Sequence, residues 1–184
     1  MSAIATPSAW VFKKITVRET IVLLALAWLI PFLVHLVPWP GARPLGAYLL
    51  PMFWATFVAV YFYGAGAGLL TALFAPAVNL LVTGQPAWAA FGAYSLELIV
   101  FVLGTTWAVR RWPGFWLLAP LGYLAARTGA ALLQWAAAGF AGAGLSVIFF
   151  SHMLAGGAAG LVVLALINGA LAKLYPKPAG RVEA

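Results

Sequence analysis

Apolar residues form six runs of about 20 residues, separated by short segments rich in glycine, proline and basic side chains. No run alternates strictly between apolar and polar positions, which disfavours the strands of a membrane barrel. Backbone amides in lipid need internal hydrogen-bond partners, so helices are the remaining solution. The pattern predicts six membrane spans, at about 20–37, 45–63, 66–82, 89–109, 115–138 and 145–174.

The composition supports a membrane protein. The 184 residues are 65% hydrophobic and 7% charged, with a mean hydropathy of +1.04. Soluble domains have about 25% charged residues, so water is a poor solvent for this chain. We therefore predict an all-α integral membrane bundle of six transmembrane helices, in which residues 1–184 form a single membrane domain. The absence of cysteine excludes disulfides and thiolate chemistry.

The charges predict the orientation of the bundle. Eight of the ten basic residues fall on one side of the six predicted spans: Lys13, Lys14, Arg18, Arg110, Arg111, Lys173, Lys177 and Arg181. The opposite side receives Arg43. Because basic residues accumulate in cytoplasmic segments, we expect both termini in the cytoplasm. The basic excess is explained by topology and by contact with the lipid bilayer, so nucleic acid is not an expected partner.

Polar side chains within the spans identify candidate functional residues. An ionisable group at mid-membrane costs about 2.5–3.5 kcal/mol on insertion scales, so each such residue needs an explanation. Glu97, Arg127 and His152 lie roughly 10, 16 and 10 Å from the outer ends of spans four, five and six. Asn79 and Gln134 lie near the outer ends of spans three and five. The inner half has fewer polar groups, which favours an outward-facing cavity over a continuous pore.

Aromatic residues accompany these polar groups. Trp88, Tyr94 and Trp135 occur at the same outer level. Apolar walls with a few fixed polar groups are typical of a small-molecule pocket, whereas Trp and Tyr at this depth also serve as interfacial anchors. Two interpretations of Glu97 and Arg127 stay open, a structural ion pair between spans four and five or a ligand site.

Enzymatic motifs are missing from the sequence. It contains no H-E-x-x-H, G-x-S-x-G or P-loop pattern and no Asp. We therefore expect neither an enzyme nor a cofactor or metal site. Small residues at Gly156 and Gly160, and at Gly68 and Ala72, predict close helix packing, either within the chain or against another membrane subunit.

Three stretches resemble the substrate-binding S component of energy-coupling factor (ECF) vitamin transporters. They are PLGAYLLP at 44–51, the glycine run at 64–68 with APAVNLLVTG at 75–84, and ELIVFVLG at 97–104 followed by Arg110 and Arg111. The resemblance covers about residues 20–172 and includes chain length and span number. The chain departs from the family in its first span, where Ala25 and Ala27 replace an A-x-x-x-A contact.

The resemblance implies a function in vitamin uptake. Such subunits of prokaryotic plasma (inner) membranes bind a vitamin-like substrate on the outer side, in a site formed by spans four to six and outer loops. They work with a transmembrane coupling protein and two cytoplasmic ATPases, or alone. Cobalamin is one candidate substrate, with His152 or no protein ligand on its cobalt. The alternative function is a structural membrane scaffold or accessory protein without a small-molecule ligand.

Overall fold

The computed structural model describes residues 16–40, 45–84, 88–137 and 147–177, and within these ranges it describes all side chains except those of 35, 47, 83, 89, 90, 134, 135, 137 and 147–156. The described part is all-helical and contains no strand. Its helices are α1 (Val17–Leu36), α2 (Leu45–Leu49), α3 (Pro51–Tyr63), α4 (Ala65–Thr83), α5 (Trp88–Arg111), α6 (Leu118–Ala137) and α7 (Val147–Leu174).

Four helices are long and apolar enough to cross a membrane. Their qualifying windows are Val17–Val34, Ala65–Val82, Phe91–Arg111 and Gly157–Leu174. α3 is apolar but has 13 residues, and α6 carries Arg127 near its centre. The all-helical prediction is confirmed for the described residues, and the presence of several membrane-compatible helices agrees with the predicted class. Six crossings remain a prediction.

Alanines bring three helices together on one side of the bundle. Ala27 of α1, Ala55 of α3 and Ala75 of α4 form one buried cluster, and all three are at most 5% exposed. A second cluster, one turn away along α1 and α3 and two turns away along α4, contains Leu23, Ala59 and Ala67. From the first cluster to the second, residue numbers decrease in α1 and α4 and increase in α3. Helix α1 is therefore antiparallel to α3 and parallel to α4.

An aromatic cluster forms the centre of the bundle. Phe53 of α3 makes edge-on contacts with Phe101 of α5, at a centroid distance of 5.1 Å, and with Tyr123 of α6, at 4.9 Å. Such T-shaped pairs are a favourable arrangement for aromatic rings. The opposite faces of the outer helices stay apolar and exposed, as Ile21 of α1 and Leu166 of α7 illustrate at 61% and 67% exposure. Exposed apolar faces of this kind suit lipid contact.

The predicted second span, 45–63, differs from the structure at its start. Leu50 has φ 56° and ψ 44°, a left-handed conformation, and separates the short α2 from α3. Pro51 explains the break, because its ring disfavours helical backbone at the preceding residue and it lacks an N–H. The predicted division between the second and third spans agrees with the structure, since Gly64, with φ 82°, ends α3 and begins α4.

Two predicted small-residue positions pack within the chain. A Cβ added at Gly68 would lie 2.5 Å from a methyl group of Val60 and 3.0 Å from one of Val102. A Cβ added at Gly160 would lie 2.9 Å from the carbonyl carbon of Leu49 and closer still to the Leu50 side chain. Both glycines therefore allow close helix contact. At Gly160, the break between α2 and α3 packs directly against the backbone of α7.

Candidate functional site

Glu97 and Arg127 form an ion pair between α5 and α6. Arg127 Nη1 donates to Glu97 Oε1 at 2.6 Å and to Glu97 Oε2 at 2.5 Å. Glu97 is 5% exposed, and the side chain of Arg127 is 18% exposed. Glu97 lies nine residues after the start of α5 and Arg127 ten before the end of α6, which places them about 14 and 15 Å from the same end of the bundle.

The packing of α5 on α6 explains why these two residues meet. Glu97, Phe101 and Thr105 are spaced four residues apart and share one face of α5. Gly122 of α6 lies against the side chains of Thr105 and Phe101. A Cβ added at Gly129 would lie 3.4 Å from a methyl group of Val100. Because these two glycines have no side chains, α5 and α6 approach closely on both sides of the Glu97–Arg127 pair. The Thr105 hydroxyl donates to its own helix, to Phe101 O at 2.6 Å, so it needs no partner on α6.

Tyr123 belongs to the same group of residues, although the sequence analysis did not identify it. It precedes Arg127 by one helical turn and is 2% exposed. It interacts electrostatically with Arg127, Glu97 and Tyr94. An added Cβ on Gly157 of α7 would lie 3.2 Å from the Tyr123 hydroxyl, so this oxygen faces the backbone of α7. The sequence feature that could have identified Tyr123 is its position four residues before Arg127, on the same face of the helix.

Two polar groups at this site lack a partner. Arg127 Nε is buried and has no hydrogen-bond partner among the described residues. The Tyr123 hydroxyl lies beside Gly157 of α7 and forms no hydrogen bond with another described residue. A buried donor without an acceptor costs about 1–3 kcal/mol, so the buried Nε–H of Arg127 needs an explanation. The arrangement can donate two hydrogen bonds to a bound molecule.

The other described site candidates occupy different positions. Asn79 is fully buried in α4 and donates from Nδ2 to Ala75 O at 2.9 Å. Tyr94 is half-buried on α5, in electrostatic reach of Tyr123. Trp88 begins α5, is 75% exposed, and packs edge-on against Phe91 at 6.0 Å. The structure therefore groups Glu97, Arg127 and Tyr94 around Tyr123, while the position of Trp88 suits an interfacial anchor.

Three further candidates fall in helices whose side chains are partly outside the description. His152 lies in α7, and Gln134 and Trp135 lie in the last turns of α6. The side chains of all three lie outside the described residues. Their part in the site stays a prediction. Among the residues that the structure describes, no group of three or more His, Cys, Asp or Glu could hold a metal ion.

Polar groups at the other end of the bundle satisfy backbone groups. Asn168 of α7 donates from Nδ2 to Phe115 O at 2.9 Å and accepts from the N–H of Ala119 at 3.2 Å, so it caps the start of α6. The Tyr61 hydroxyl contacts Tyr175 O at 2.8 Å and Leu171 O at 3.3 Å, at the end of α7. These contacts fix helix ends.

A groove of about 450 Å³ lies at this second end, between α1 and α3. Its walls include the apolar Val22, Leu26 and Phe62, with Arg18 and Glu19 at its rim. Glu19 caps α1, since its carboxylate accepts from the N–H and the hydroxyl of Thr16, each at 2.8 Å. The groove is remote from the Glu97–Arg127 pair and contributes nothing to that site.

Comparison with protein-family models, with curated proteins and with solved structures finds no match to the chain. Its function is therefore inferred from its own residues. The most informative of these are the ion-paired Glu97 and Arg127 and the buried, unpartnered Nε of Arg127.

Proposed function

We propose that the chain is a membrane-embedded substrate-binding subunit for uptake of a vitamin or related micronutrient. The ligand binds in an outward-facing pocket of α5, α6, α7 and the adjoining outer loops. Arg127 and Tyr123 contact it, and Glu97 orients Arg127. The subunit binds and releases its substrate without converting it, so it is not an enzyme.

The unpartnered Arg127 Nε carries this proposal. A purely structural pair would use the guanidinium fully, because an unsatisfied donor in an apolar bundle is costly. Here one nitrogen, Nη1, serves both carboxylate oxygens of Glu97, while Nε has no partner among the described residues. The side chain of Arg127 is also 18% exposed, so a ligand could reach it. These features support binding of a polar molecule at this depth.

The proposed orientation places the site on the outer side. Arg18 near the start of α1, Arg111 at the end of α5 and Lys173 at the end of α7 lie at one end of the bundle. Basic residues favour the cytoplasmic side, so the pair lies nearer the outer surface. We propose six crossings, with α2 and α3 together forming the second, both termini in the cytoplasm, and a prokaryotic plasma membrane as the location.

Uptake requires an energy source, and the sequence has no nucleotide-binding motif. By the resemblance to ECF S components, we propose a transmembrane coupling protein and two cytoplasmic ATPases as partners. Co-purification from native membranes tests this. A complex that contains a second membrane protein and ATPases supports the proposal, and a chain that transports a vitamin into proteoliposomes alone contradicts it.

The binding function is tested by thermal-shift titration of the detergent-purified protein with a vitamin panel. The proposal predicts strong stabilisation by one compound. The double variant Glu97→Leu with Arg127→Met removes the site without leaving an unpaired buried charge, and it should lose this stabilisation. Arg111→Met, an exposed arginine at the end of α5, is the matched control and should keep it. No shift in the wild type across the panel contradicts the proposal.

The second candidate function is a structural membrane scaffold. The two short contacts from Arg127 Nη1 to the Glu97 carboxylate favour it, since they tie α5 to α6 without any ligand. Under this alternative, the same double variant keeps every function of the chain, because apolar residues can replace a buried ion pair without loss of stability.

A further inference from the structure

We infer that the ligand presents an uncharged edge of hydrogen-bond acceptors to the site, and that Tyr123 is a ligand-binding residue beside Arg127. This inference rests on the proposed binding function and specifies its substrate class. Carbonyl groups and ring nitrogens of a flat heterocycle are acceptors of this kind. Carboxylates and ammonium or other cationic groups are excluded from the contact with Arg127 and Tyr123.

The unused hydrogen-bonding capacity of Arg127 is one-sided, because a guanidinium only donates. Both carboxylate oxygens of Glu97 already accept from Arg127 Nη1, and Glu97 is 5% exposed. Glu97 therefore positions Arg127 through both of its carboxylate oxygens. On α6, the buried Nε–H of Arg127 has no partner, and the hydroxyl of Tyr123, one turn earlier, forms no hydrogen bond with another described residue. A ligand that satisfies the Nε–H of Arg127 must supply an acceptor, and the Tyr123 hydroxyl can donate to a second one.

The charge of the site is balanced before a ligand arrives. Glu97 and Arg127 cancel each other at hydrogen-bond distance. The remaining charged residues among those described lie at or near helix ends: Arg18, Glu19, Arg110, Arg111, Lys173 and Lys177. A ligand carboxylate beside the pair would leave one uncompensated negative charge in the bundle, and a cation would leave a positive one. Either is costly in a low-dielectric interior, whereas a neutral acceptor is not.

The ring and the hydroxyl of Tyr123 have separable roles. The ring packs edge-on against Phe53 at 4.9 Å and is part of the aromatic cluster. The hydroxyl faces α7 beside Gly157 and has no partner among the described residues. Phenylalanine at this position would preserve the packing completely. The hydroxyl therefore makes no hydrogen bond within the described part of the chain and can donate to a ligand.

Calorimetric titration of the purified protein tests this inference with probes of three charge classes. Riboflavin and nicotinamide are neutral and rich in acceptors, biotin and nicotinate carry a carboxylate, and thiamine is a cation. The tightest binder should be neutral. Tyr123→Phe should weaken its binding roughly three- to tenfold, as expected for one lost hydrogen bond. Tyr61→Phe removes a hydroxyl that contacts backbone carbonyls at the other end of the bundle, and it should leave binding unchanged.

The outcomes separate this inference from the function on which it rests. If the tightest binder is a carboxylate or a cation, or if Tyr123→Phe binds as well as the wild type, the chain is still a binding subunit but the inferred substrate class is wrong. If no probe binds to the wild-type protein, both the inference and the proposed function are overturned.

Discussion

One nitrogen of Arg127 serves the entire carboxylate of Glu97. Nη1 donates to both oxygens, at 2.6 and 2.5 Å, and Nε remains buried without a partner among the described residues. This geometry distinguishes the two roles that a charge pair inside a membrane bundle can have. A structural pair would use all of its buried donors within the protein, whereas a binding site needs donors that the protein itself does not use.

Breaking the pair should separate stability from binding. Glu97→Gln or Arg127→Met alone should cost about 3–5 kcal/mol of unfolding free energy, because each leaves the other group buried without its partner. The double variant Glu97→Leu with Arg127→Met should recover most of this loss without recovering binding. Thermal unfolding in detergent measures the first effect and ligand titration the second. A double variant as unstable as the single variants would show that the ion pair itself stabilises the fold.

Gly160 should tolerate no side chain. Gly160→Ala would place a Cβ 2.9 Å from the carbonyl carbon of Leu49, so the α2–α3 break must shift, at a cost of about 1–3 kcal/mol. Gly92→Ala is the matched control, because its Cβ meets nothing within 4 Å and alanine favours helix by about 0.5–1 kcal/mol. Melting temperatures of the two variants should move in opposite directions. A Gly160→Ala protein as stable as the wild type would contradict the packing described for α7.

Asn168 should contribute to stability and not to binding. Asn168→Ala removes the cap on α6, with its hydrogen bonds to the carbonyl of Phe115 and from the N–H of Ala119, which should cost about 1–3 kcal/mol. The affinity of the Asn168→Ala protein for its ligand should stay within a factor of two or so of the wild type, because the cap lies at the opposite end from Arg127. A lowered melting temperature with unchanged affinity is the expected pair of results. Loss of affinity with unchanged stability would place a second polar site at this end.

The absence of cysteine makes the topology directly testable. Trp39 lies between α1 and α2 and Gly114 lies between α5 and α6, and both are exposed. With six crossings, a membrane-impermeant maleimide should label Trp39→Cys in intact cells and Gly114→Cys only after the membrane is opened. A bundle in which only α1, α4, α5 and α7 cross would put both positions on the same side. Equal labelling of both variants in intact cells would therefore contradict six crossings.

Helix boundaries were largely predictable from the sequence. The long helices begin and end within three residues of the predicted spans, because glycine, proline and basic residues interrupt the apolar runs where the helices stop. The break at Leu50 was not predicted. Residues 45–63 are apolar throughout, and Pro51 is compatible with either a helix start or a kink. The position of the helix break depends on the packing of Leu50 against Gly160 of α7, a contact between residues far apart in the sequence.

The candidate site was predictable where charge was involved. Glu97 and Arg127 were identified because a charge inside a span is costly and needs an explanation. Tyr123 was missed because tyrosine is common in membrane helices and its importance comes from neighbours on other helices, Phe53 and Gly157. The free Nε of Arg127 could not be predicted either, since it depends on how Glu97 and Arg127 meet in three dimensions.

Native mass spectrometry of the detergent-purified protein tests the central claim most directly. The wild-type protein should retain a bound small molecule, and the released compound should be neutral and rich in hydrogen-bond acceptors. The double variant Glu97→Leu with Arg127→Met, purified in the same way and equally folded, should carry none. A wild-type protein that is free of any small molecule and gains none from a vitamin mixture would contradict the account, and it would identify the Glu97–Arg127 pair as a structural link between α5 and α6.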